Sequence, residues 1–292
     1  MLPPPTTLRT QGSRHPIWRR QPAEWPGRFR LVILWAVGAI YKVENPGFAA
    51  PRVSGMDDFL IYGHRGASAH VQANTVEAFA LAVELGADGV ELDVRPSRDG
   101  AIVIHHDDRA TPDALPFVDL DLAEIRAMAP WVPTLDEAWD VLGPTALLNI
   151  EIKNDPREAD YDPTVGFAAS VAGWVAHHQT ADRVLVSSFD PTMLAAFKDL
   201  APTIPTGQLA VTASDPFDVI KQARADGHVA VNLPLARTLP DATRIVEAAD
   251  DLAVLVWTVN HPAHAVALAV SGVGGIFTDD PGLMAETFSD RS

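Results

Sequence analysis

Three carboxylates in two short apolar runs are the side chains most able to do chemistry in this chain. Glu91 and Asp93 are two positions apart, so on a strand their side chains share one face. Glu151 lies in a second run of the same kind. Three carboxylates that converge from two strands form an oxygen-rich site suited to a hard divalent cation, Mg²⁺ or Ca²⁺. Because the chain has no cysteine, thiolate metal sites and disulfides are excluded.

Two histidines and two basic side chains follow the same kind of apolar run. His64 and Arg65 end the first run, His106 ends another, and Lys153 comes two residues after Glu151. Imidazoles exchange protons near neutral pH, so His64 and His106 are candidate general acid and base, in either order. Arg65 and Lys153 suit an anionic group, and a phosphate that also contacts the cation fits both.

The fold that must position these residues is predicted from alternating strand-like and helix-like segments. Strands are predicted at Phe59–Gly63, Gly89–Val94, Ala101–His105, Ala146–Ile152, Arg183–Ser188, Thr206–Ala210, His228–Leu233, Leu252–Val259 and Gly275–Thr278. Helices are predicted at Asn74–Leu85, Pro163–His178, Pro191–Leu200, Pro216–Ala225, Pro240–Ala249 and Pro262–Val270. Repeated strand-then-helix order implies a parallel sheet, and eight such strands fit a closed TIM (β/α)₈ barrel. Active residues of such barrels lie at the C-terminal strand ends.

One connection departs from this alternation. The second and third predicted strands are too close for a crossover helix, and Asp99-Gly100 between them is a hairpin-turn signal. With these two residues as the turn, Asp93 lies opposite His106, and one register step away Glu91 does. Either pairing brings a carboxylate close to a histidine.

The charge of the chain is unevenly distributed. The 292 residues carry a net charge of -16, but residues 1–55 hold eight basic groups against two acidic ones, a net +6, which leaves -22 for the rest. An acidic body is a poor nucleic-acid binder, because the phosphate backbone is bound through Lys and Arg. We therefore predict two regions, a basic, Pro- and Arg-rich N-terminal extension (1–55) and one catalytic domain (56–292).

The extension contains a single apolar run, residues 31–41. As a helix it would rise about 16 Å, well short of the roughly 30 Å of a bilayer core, so a membrane span is not predicted. A basic stretch before a short apolar core is also typical of a signal peptide, but no small-residue cleavage site follows this run. We favour a disordered extension or leader on a cytoplasmic protein that does not associate with membranes; export is the alternative.

A series of motifs runs through the predicted barrel in a fixed order. They are Gly63-His64-Arg65-Gly66-Ala67, Asn74-Thr75-x-Glu77-Ala78-Phe79, Gly86-Ala87-Asp88-Gly89-Val90-Glu91-Leu92-Asp93-Val94, Asp99-Gly100, His106-Asp107, Pro133-Thr134-Leu135-x-Glu137, Glu151-Ile152-Lys153, Ser187-Ser188-Phe189-Asp190, Val256-Trp257-Thr258-Val259-Asn260 and Thr278-Asp279-x-Pro281. From about Ile61 to Pro281 the chain therefore resembles the glycerophosphodiester phosphodiesterases, TIM barrels of the PLC-like phosphodiesterase type.

The resemblance implies hydrolysis of a small-molecule glycerophosphodiester to sn-glycerol 3-phosphate and an alcohol. It implies catalytic histidines at His64 and His106, phosphate contacts from Arg65 and Lys153, aromatic pocket residues at Phe189 and Trp257, and a divalent cation at Glu91, Asp93 and Glu151. For the two aromatic residues, packing in the barrel core is an equal alternative.

The chain departs from the family pattern in two places. Ala73 stands where the family usually has Glu in Pro-Glu-Asn-Thr, and the element after His106 is shortened. No sizeable insertion separates Asp107 from Pro133, which predicts an open mouth and weakens the substrate inference. Two alternatives therefore remain: a lysophospholipase D-like phosphodiesterase that acts on lysophospholipids, and a non-enzymatic phosphate-binding barrel.

Overall fold

Nine strands organise the part of the chain that the computed structural model describes, residues 59–143, 145–180 and 182–289. The strands are β1 (Leu60–His64), β2 (Gly89–Pro96), β3 (Ile102–Ile104), β4 (Leu147–Ile152), β5 (Val184–Ser188), β6 (Thr206–Leu209), β7 (Ala230–Pro234), β8 (Ala253–Trp257) and β9 (Gly275–Thr278). Each overlaps a predicted strand. Most are one or two residues shorter than predicted, and β2 is two residues longer.

Eight of these strands form the predicted closed parallel barrel. The order is β1-β9-β8-β7-β6-β5-β4-β2, and a β1–β2 pairing closes the ring. The register places His64 beside Glu91 between β1 and β2, and Asp93 beside Glu151 between β2 and β4. The TIM-barrel prediction is confirmed, and its parallel register brings the charged strand ends to one rim.

Helices cover the outside of the ring. They are α1 (Val76–Glu84), α2 (Leu122–Met128), α3 (Leu135–Leu142), α4 (Phe167–His178), α5 (Pro191–Leu200), α6 (Pro216–Ala225), α7 (Leu235–Thr238), α8 (Ala242–Ala249), α9 (Pro262–Val270) and α10 (Pro281–Thr287), with 3-10 turns at Phe117–Asp119 and Leu239–Asp241. Helices α5 and α6 match their predicted bounds because Asp190 and Asp215 cap their N-termini and proline follows each cap. The predicted helix from Pro240 instead begins with a 3-10 turn and becomes α-helical at Ala242.

The hairpin between β2 and β3 differs from its predicted register by one residue. Ser97 N–H donates to Ala101 O at 2.9 Å, so the loop has three residues, 98–100, rather than a two-residue turn. Gly100 adopts φ +86, the left-handed conformation that such a loop requires at this position. As a result His105 N–H, not His106, bonds to Asp93 O, at 3.0 Å.

The interior of the barrel is apolar at its lower levels. A cluster of inward side chains fills it: Tyr62, Leu185, Ala230, Ala253, Leu255 and Phe277. Larger apolar clusters lie between the strands and the helices. The interior is thus packed below, and its polar residues collect at the C-terminal rim, where ligand cavities of this fold lie.

The predicted extension and its boundary at residue 55 lie outside the described residues and stay predictions, as does the compartment. Within residues 59–289, apart from 144 and 181, no helix has the length and apolar character needed to cross a bilayer.

Candidate active site

A cavity of about 180 Å³ opens at the C-terminal ends of the barrel strands. Its lining comprises His64, Arg65, Glu91, His106, Asn149, Glu151, Lys153, Phe189, Leu209, Asn232, Trp257 and Phe277. Eight of the nine site residues predicted from the sequence are in this lining. The ninth, Asp93, is buried just behind it, where it contacts Arg65 and Lys153.

The turn after β1 is shaped by backbone that few residues adopt. Arg65 has φ 57 and Gly66 has φ 84, both left-handed. A Cβ at Gly66 would lie 2.5 Å from the carbonyl carbon of Ala78, so only glycine fits there. The turn aims the Arg65 N–H at Glu91, whose Oε2 accepts it at 2.9 Å. The Gly-His-Arg-Gly motif therefore has a backbone role as well as a side-chain role.

The three predicted metal-ligating carboxylates lie together. Glu91, Asp93 and Glu151 are buried, and each offers an oxygen within 4.8 Å of the others. Asn74 Nδ2 donates to Asp93 Oδ2 at 2.7 Å and fixes that side chain. Glu91 Oε1 has no hydrogen-bond partner among the described residues.

The electrostatics of this cluster suit a divalent cation. Burial and the charge of Asp93 raise the pKa of Glu91 to about 8. Burial also raises the pKa of Glu151, although Lys153 opposes the shift. A bound cation would favour the ionised form of both side chains. The all-oxygen donor set fits Mg²⁺ or Ca²⁺.

Two basic side chains border the acidic cluster. Lys153 Nζ lies 2.6 Å from Glu151 Oε1 and 3.0 Å from Asp93 Oδ1, and Arg65 Nε lies 3.3 Å from Asp93 Oδ2. Burial by itself raises the pKa of Asp93, but the charges of Lys153 and Arg65 outweigh it and hold that pKa well below its usual range. Burial lowers the pKa of Lys153, but the two neighbouring carboxylates raise it more strongly. Its ammonium group is therefore charged at neutral pH.

Each predicted catalytic histidine has its Nδ1 held by a carboxylate. His64 Nδ1 lies 2.7 Å from Asp279 Oδ1, and His106 Nδ1 lies 2.7 Å from Asp107 Oδ1. Burial lowers the pKa of His64, but the hydrogen bond to Asp279 and the charge of Glu91 reverse the shift and raise it. Burial and the charge of Lys153 lower the pKa of His106. The two imidazoles therefore differ in proton affinity.

The two predicted aromatic residues form one wall of the cavity. Phe189 and Trp257 pack edge to face with ring centroids 5.8 Å apart, and Lys153 Nζ lies 5.9 Å from the Phe189 centroid. Trp257 Nε1 donates to Asn232 O at 3.1 Å, which fixes the indole. Both rings line the cavity, and Trp257 also packs against the apolar interior of the barrel, so their role in substrate binding stays a prediction.

Several residues at the site were not predicted from the sequence. Asp279 follows β9 and belongs to the last of the family motifs, and its position at a strand end is the signal that could have identified it. Asn74 likewise belongs to a family motif, whereas Asn149 and Asn232 carry no such signal, because an amide in an apolar run is equally consistent with a buried structural residue. The neighbouring His105 packs against Phe117, with the ring centroids 5.3 Å apart, and is not part of the cavity lining.

A second, more open cavity of about 450 Å³ lies beside His64. Its lining comprises His64, Arg65, Ser68, Ala69, Ala73, Asn260, Asp279, Asp280 and Leu283. Ala73, which replaces the usual family glutamate, is part of this wall. The departure noted in the sequence therefore lies beside the catalytic cavity and leaves the predicted site residues in place.

Known proteins resemble this chain in sequence over most of its length. Glycerophosphodiester phosphodiesterases of Caldanaerobacter subterraneus subsp. tengcongensis and Bacillus altitudinis are 30% and 31% identical to it. Each alignment covers 76% of this chain and 94% of the relative.

Solved structures match the fold. The glycerophosphodiester phosphodiesterase of Agrobacterium tumefaciens strain C58 is 27% identical with a TM-score of 0.65, over 78% of this chain and 99% of that one. An Oleispira antarctica phosphodiesterase in complex with the product sn-glycerol-3-phosphate is 24% identical, with a TM-score of 0.69 over 79% and 97% of the two chains, and supports the fold. The profile of one family matches residues 64–283, so the chain belongs to the Glycerophosphoryl diester phosphodiesterase family, as its motifs predicted.

Proposed function

We propose that this chain hydrolyses glycerophosphodiesters to sn-glycerol 3-phosphate and an alcohol, with a divalent cation, Mg²⁺ or Ca²⁺, held by Glu91, Asp93 and Glu151. The observation that carries the proposal is the convergence of two carboxylate-held histidines and two cationic side chains on one buried acidic cluster. The activity named for the two bacterial relatives supports the same substrate class.

Arg65 and Lys153 bind the anionic phosphodiester in this proposal. Both line the cavity, and Lys153 stays charged because its pKa is raised by the neighbouring carboxylates. When bound, the cation would supply further positive charge against the negative charge that develops on the phosphoryl oxygens. Phe189 and Trp257 provide an apolar wall for the carbon skeleton.

The histidines move the protons of the reaction. One imidazole takes a proton from the glycerol 2-hydroxyl, or from water, as that oxygen bonds to phosphorus. The other gives a proton to the oxygen of the departing alcohol as its bond to phosphorus breaks. In the 2-hydroxyl route, water then opens the cyclic phosphate in a second stage. Because Asp279 and Asp107 hold the Nδ1 atoms, Nε2 of each ring is left for proton transfer.

The lysophospholipid alternative requires an apolar groove for an acyl chain. The open cavity beside His64 has apolar wall residues in Ala69, Ala73 and Leu283, but charged and polar side chains form the rest of its lining. The lining thus combines polar and apolar surface, and the assay below distinguishes the two substrates.

The test uses the full chain with glycerophosphocholine and lysophosphatidylcholine, with and without chelator. We expect glycerol 3-phosphate from the first substrate, loss of activity with chelator and recovery with Mg²⁺ or Ca²⁺. Equal or preferred turnover of lysophosphatidylcholine would establish the alternative, and activity that survives the chelator would contradict the metal role.

His106→Ala should lose activity by about 10²- to 10⁴-fold. The matched control His177→Ala changes an exposed histidine of α4 outside the cavity lining and should keep the activity of the wild type, whereas near-normal turnover in His106→Ala would refute the assignment.

A further inference from the structure

Asn232 presents an unsatisfied amide at the catalytic cavity. The residue lies in β7, lines the cavity and is fully buried, with 0% of its surface exposed. Neither Nδ2 nor Oδ1 has a hydrogen-bond partner among the described residues. Leaving a buried polar group unpaired is unfavourable, so buried amides in folded proteins are almost always bonded. In a ligand cavity, the missing partner is supplied from the cavity, by a water molecule before the ligand binds and by a polar group of the ligand afterwards.

Among the described residues, the surroundings of Asn232 anchor its backbone and supply no partner for its side-chain amide. Its backbone oxygen accepts from Ala210 N at 3.0 Å and from Trp257 Nε1 at 3.1 Å, which anchors the residue. On the neighbouring strand, Gly207 has no side chain, and a Cβ there would lie 3.2 Å from Asn232 Oδ1. Leu209 and Phe277, which share the cavity wall, are apolar. The amide is therefore pre-positioned for a ligand group.

A second amide lines the same cavity. Asn149 Nδ2 lies 2.9 Å from Ser187 Oγ, and Asn149 Oδ1 has no partner among the described residues. Asn149 and Asn232 are uncharged, unlike Arg65 and Lys153, which also line the cavity. Neutral amides suit neutral hydroxyl groups, whereas the phosphate is better bound by the charged side chains of Arg65 and Lys153.

We propose that Asn232 is a specificity-determining residue that binds the terminal hydroxyl of the substrate's glycerol moiety. This inference rests on the proposed function. There, the glycerol 2-hydroxyl is placed at the histidines and the phosphate at Arg65 and Lys153. The terminal hydroxyl is then the remaining polar group of the glycerol moiety, and Asn232 offers both a donor and an acceptor for it.

The test compares two substrates in the full-length enzyme with its cation. One is glycerophosphocholine; the other is its analogue with hydrogen in place of the terminal hydroxyl, which retains the 2-hydroxyl. We expect the wild type to prefer the parent in kcat/KM by about 10-fold or more, because the analogue leaves the buried amide unpaired. The isosteric Asn232→Leu should bring this preference close to one. Because it is a ratio within one protein, the preference does not depend on the fraction folded.

A buried amide on the adjacent strand provides the matched control. Gln208 is buried and its Oε1 is also unpaired among the described residues, but it is not part of the cavity lining. Gln208→Met should keep the preference of the wild type. Equal turnover of both substrates by the wild type, or a preference that survives in Asn232→Leu, overturns the role of Asn232 and leaves the proposed function unaffected. If Asn232→Leu does not fold, Asn232→Ala supplies the same comparison. Hydrolysis of neither substrate by the wild type overturns the proposed function, and this inference with it.

Discussion

Asp279 Oδ1 lies 2.7 Å from His64 Nδ1 and so joins the end of β9 to the end of β1, across 215 positions of sequence. Ser68 Oγ and Asn260 Nδ2 also donate to this carboxylate, at 3.0 and 2.6 Å. Burial raises the pKa of Asp279, but the hydrogen bonds from His64 and Asn260 outweigh it and lower the pKa to about 2. The carboxylate is therefore ionised at neutral pH, fixes the orientation of the imidazole and favours a proton on Nδ1.

Asp279→Asn should lower kcat by about 10²- to 10⁴-fold, because the amide no longer stabilises a protonated His64. The limb of the pH–rate profile that belongs to His64 should move to lower pH, since Asp279 raises the pKa of that histidine. Asp280→Asn is the matched control: it removes the same charge one residue away, from a carboxylate that pairs with His70 and caps α10. Similar pH profiles for the wild type and Asp279→Asn would contradict the positioning role.

Glu151→Gln should weaken the affinity for a divalent cation by about 10-fold or more, because one of the three proposed anionic ligands becomes neutral. Calorimetric titration with Mg²⁺ or Ca²⁺ measures this directly, and excess cation should restore part of the activity. Asp155→Asn removes the same charge from the loop after β4, where the carboxylate pairs with Arg157 rather than with the cluster. Unchanged affinity in Glu151→Gln would remove this residue from the metal site.

Arg95 is a fully buried guanidinium that organises the backbone of the His106 loop. It donates to His106 O from Nε at 3.0 Å and from Nη2 at 2.5 Å. It also pairs with Asp160 at 2.6 Å, where both side chains are 0% exposed, and with Glu158 at 2.8 Å. One planar side chain thus connects the end of the hairpin with the loop after β4, an arrangement that a single ammonium cannot reproduce.

Arg95→Lys should therefore reduce the free energy of unfolding by about 3 kcal/mol or more, because the buried Asp160 loses its partner geometry. Arg98→Lys, three residues away in the same hairpin, changes an exposed arginine that pairs with Asp121 and Glu124, and should reduce the free energy of unfolding far less. Urea denaturation of both variants measures the difference. Equal stabilities would show that the buried pair contributes no more than the exposed one.

The sequence predicted the barrel and the residues at its rim because both depend on local patterns. Alternation of strands with helices fixes the parallel order, and parallel strands necessarily bring their C-terminal ends together, so the sequence alone groups Glu91, Asp93 and Glu151. The glycine at position 100 likewise indicated a hairpin, although its loop is one residue longer than predicted.

Contacts between distant segments could not be predicted in this way. The partnerships of Asp279 with His64 and of Arg95 with Asp160 join segments 215 and 65 positions apart, and no local pattern specifies them. Helix α2 was missed because it has only seven residues, although Asp121 and Glu124 form a local capping box at its start. Its Leu122 N–H also donates to Asp99 Oδ1 of the hairpin loop, a contact across 23 positions that no local pattern specifies. The sequence also does not show whether the amide of Asn232 is hydrogen-bonded, because its possible partners come from all the strands around the cavity.

The buried His228 should make the folded protein less stable in mild acid. It is buried before β7, with Nδ1 2.9 Å from Thr206 Oγ1, and burial together with the charge of Lys198 lowers its pKa from 6.5 to about 4. Between these two values the unfolded chain binds a proton that the native chain does not. The contribution of His228 to stability is therefore fully present above pH 6.5 and is lost as the pH falls towards 4. The difference between the urea midpoints at pH 7 and at pH 5 should be smaller in His228→Gln than in the wild type. His177→Gln, which changes an exposed histidine, should show the same difference as the wild type. An equal fall in all three proteins would exclude His228 as the source.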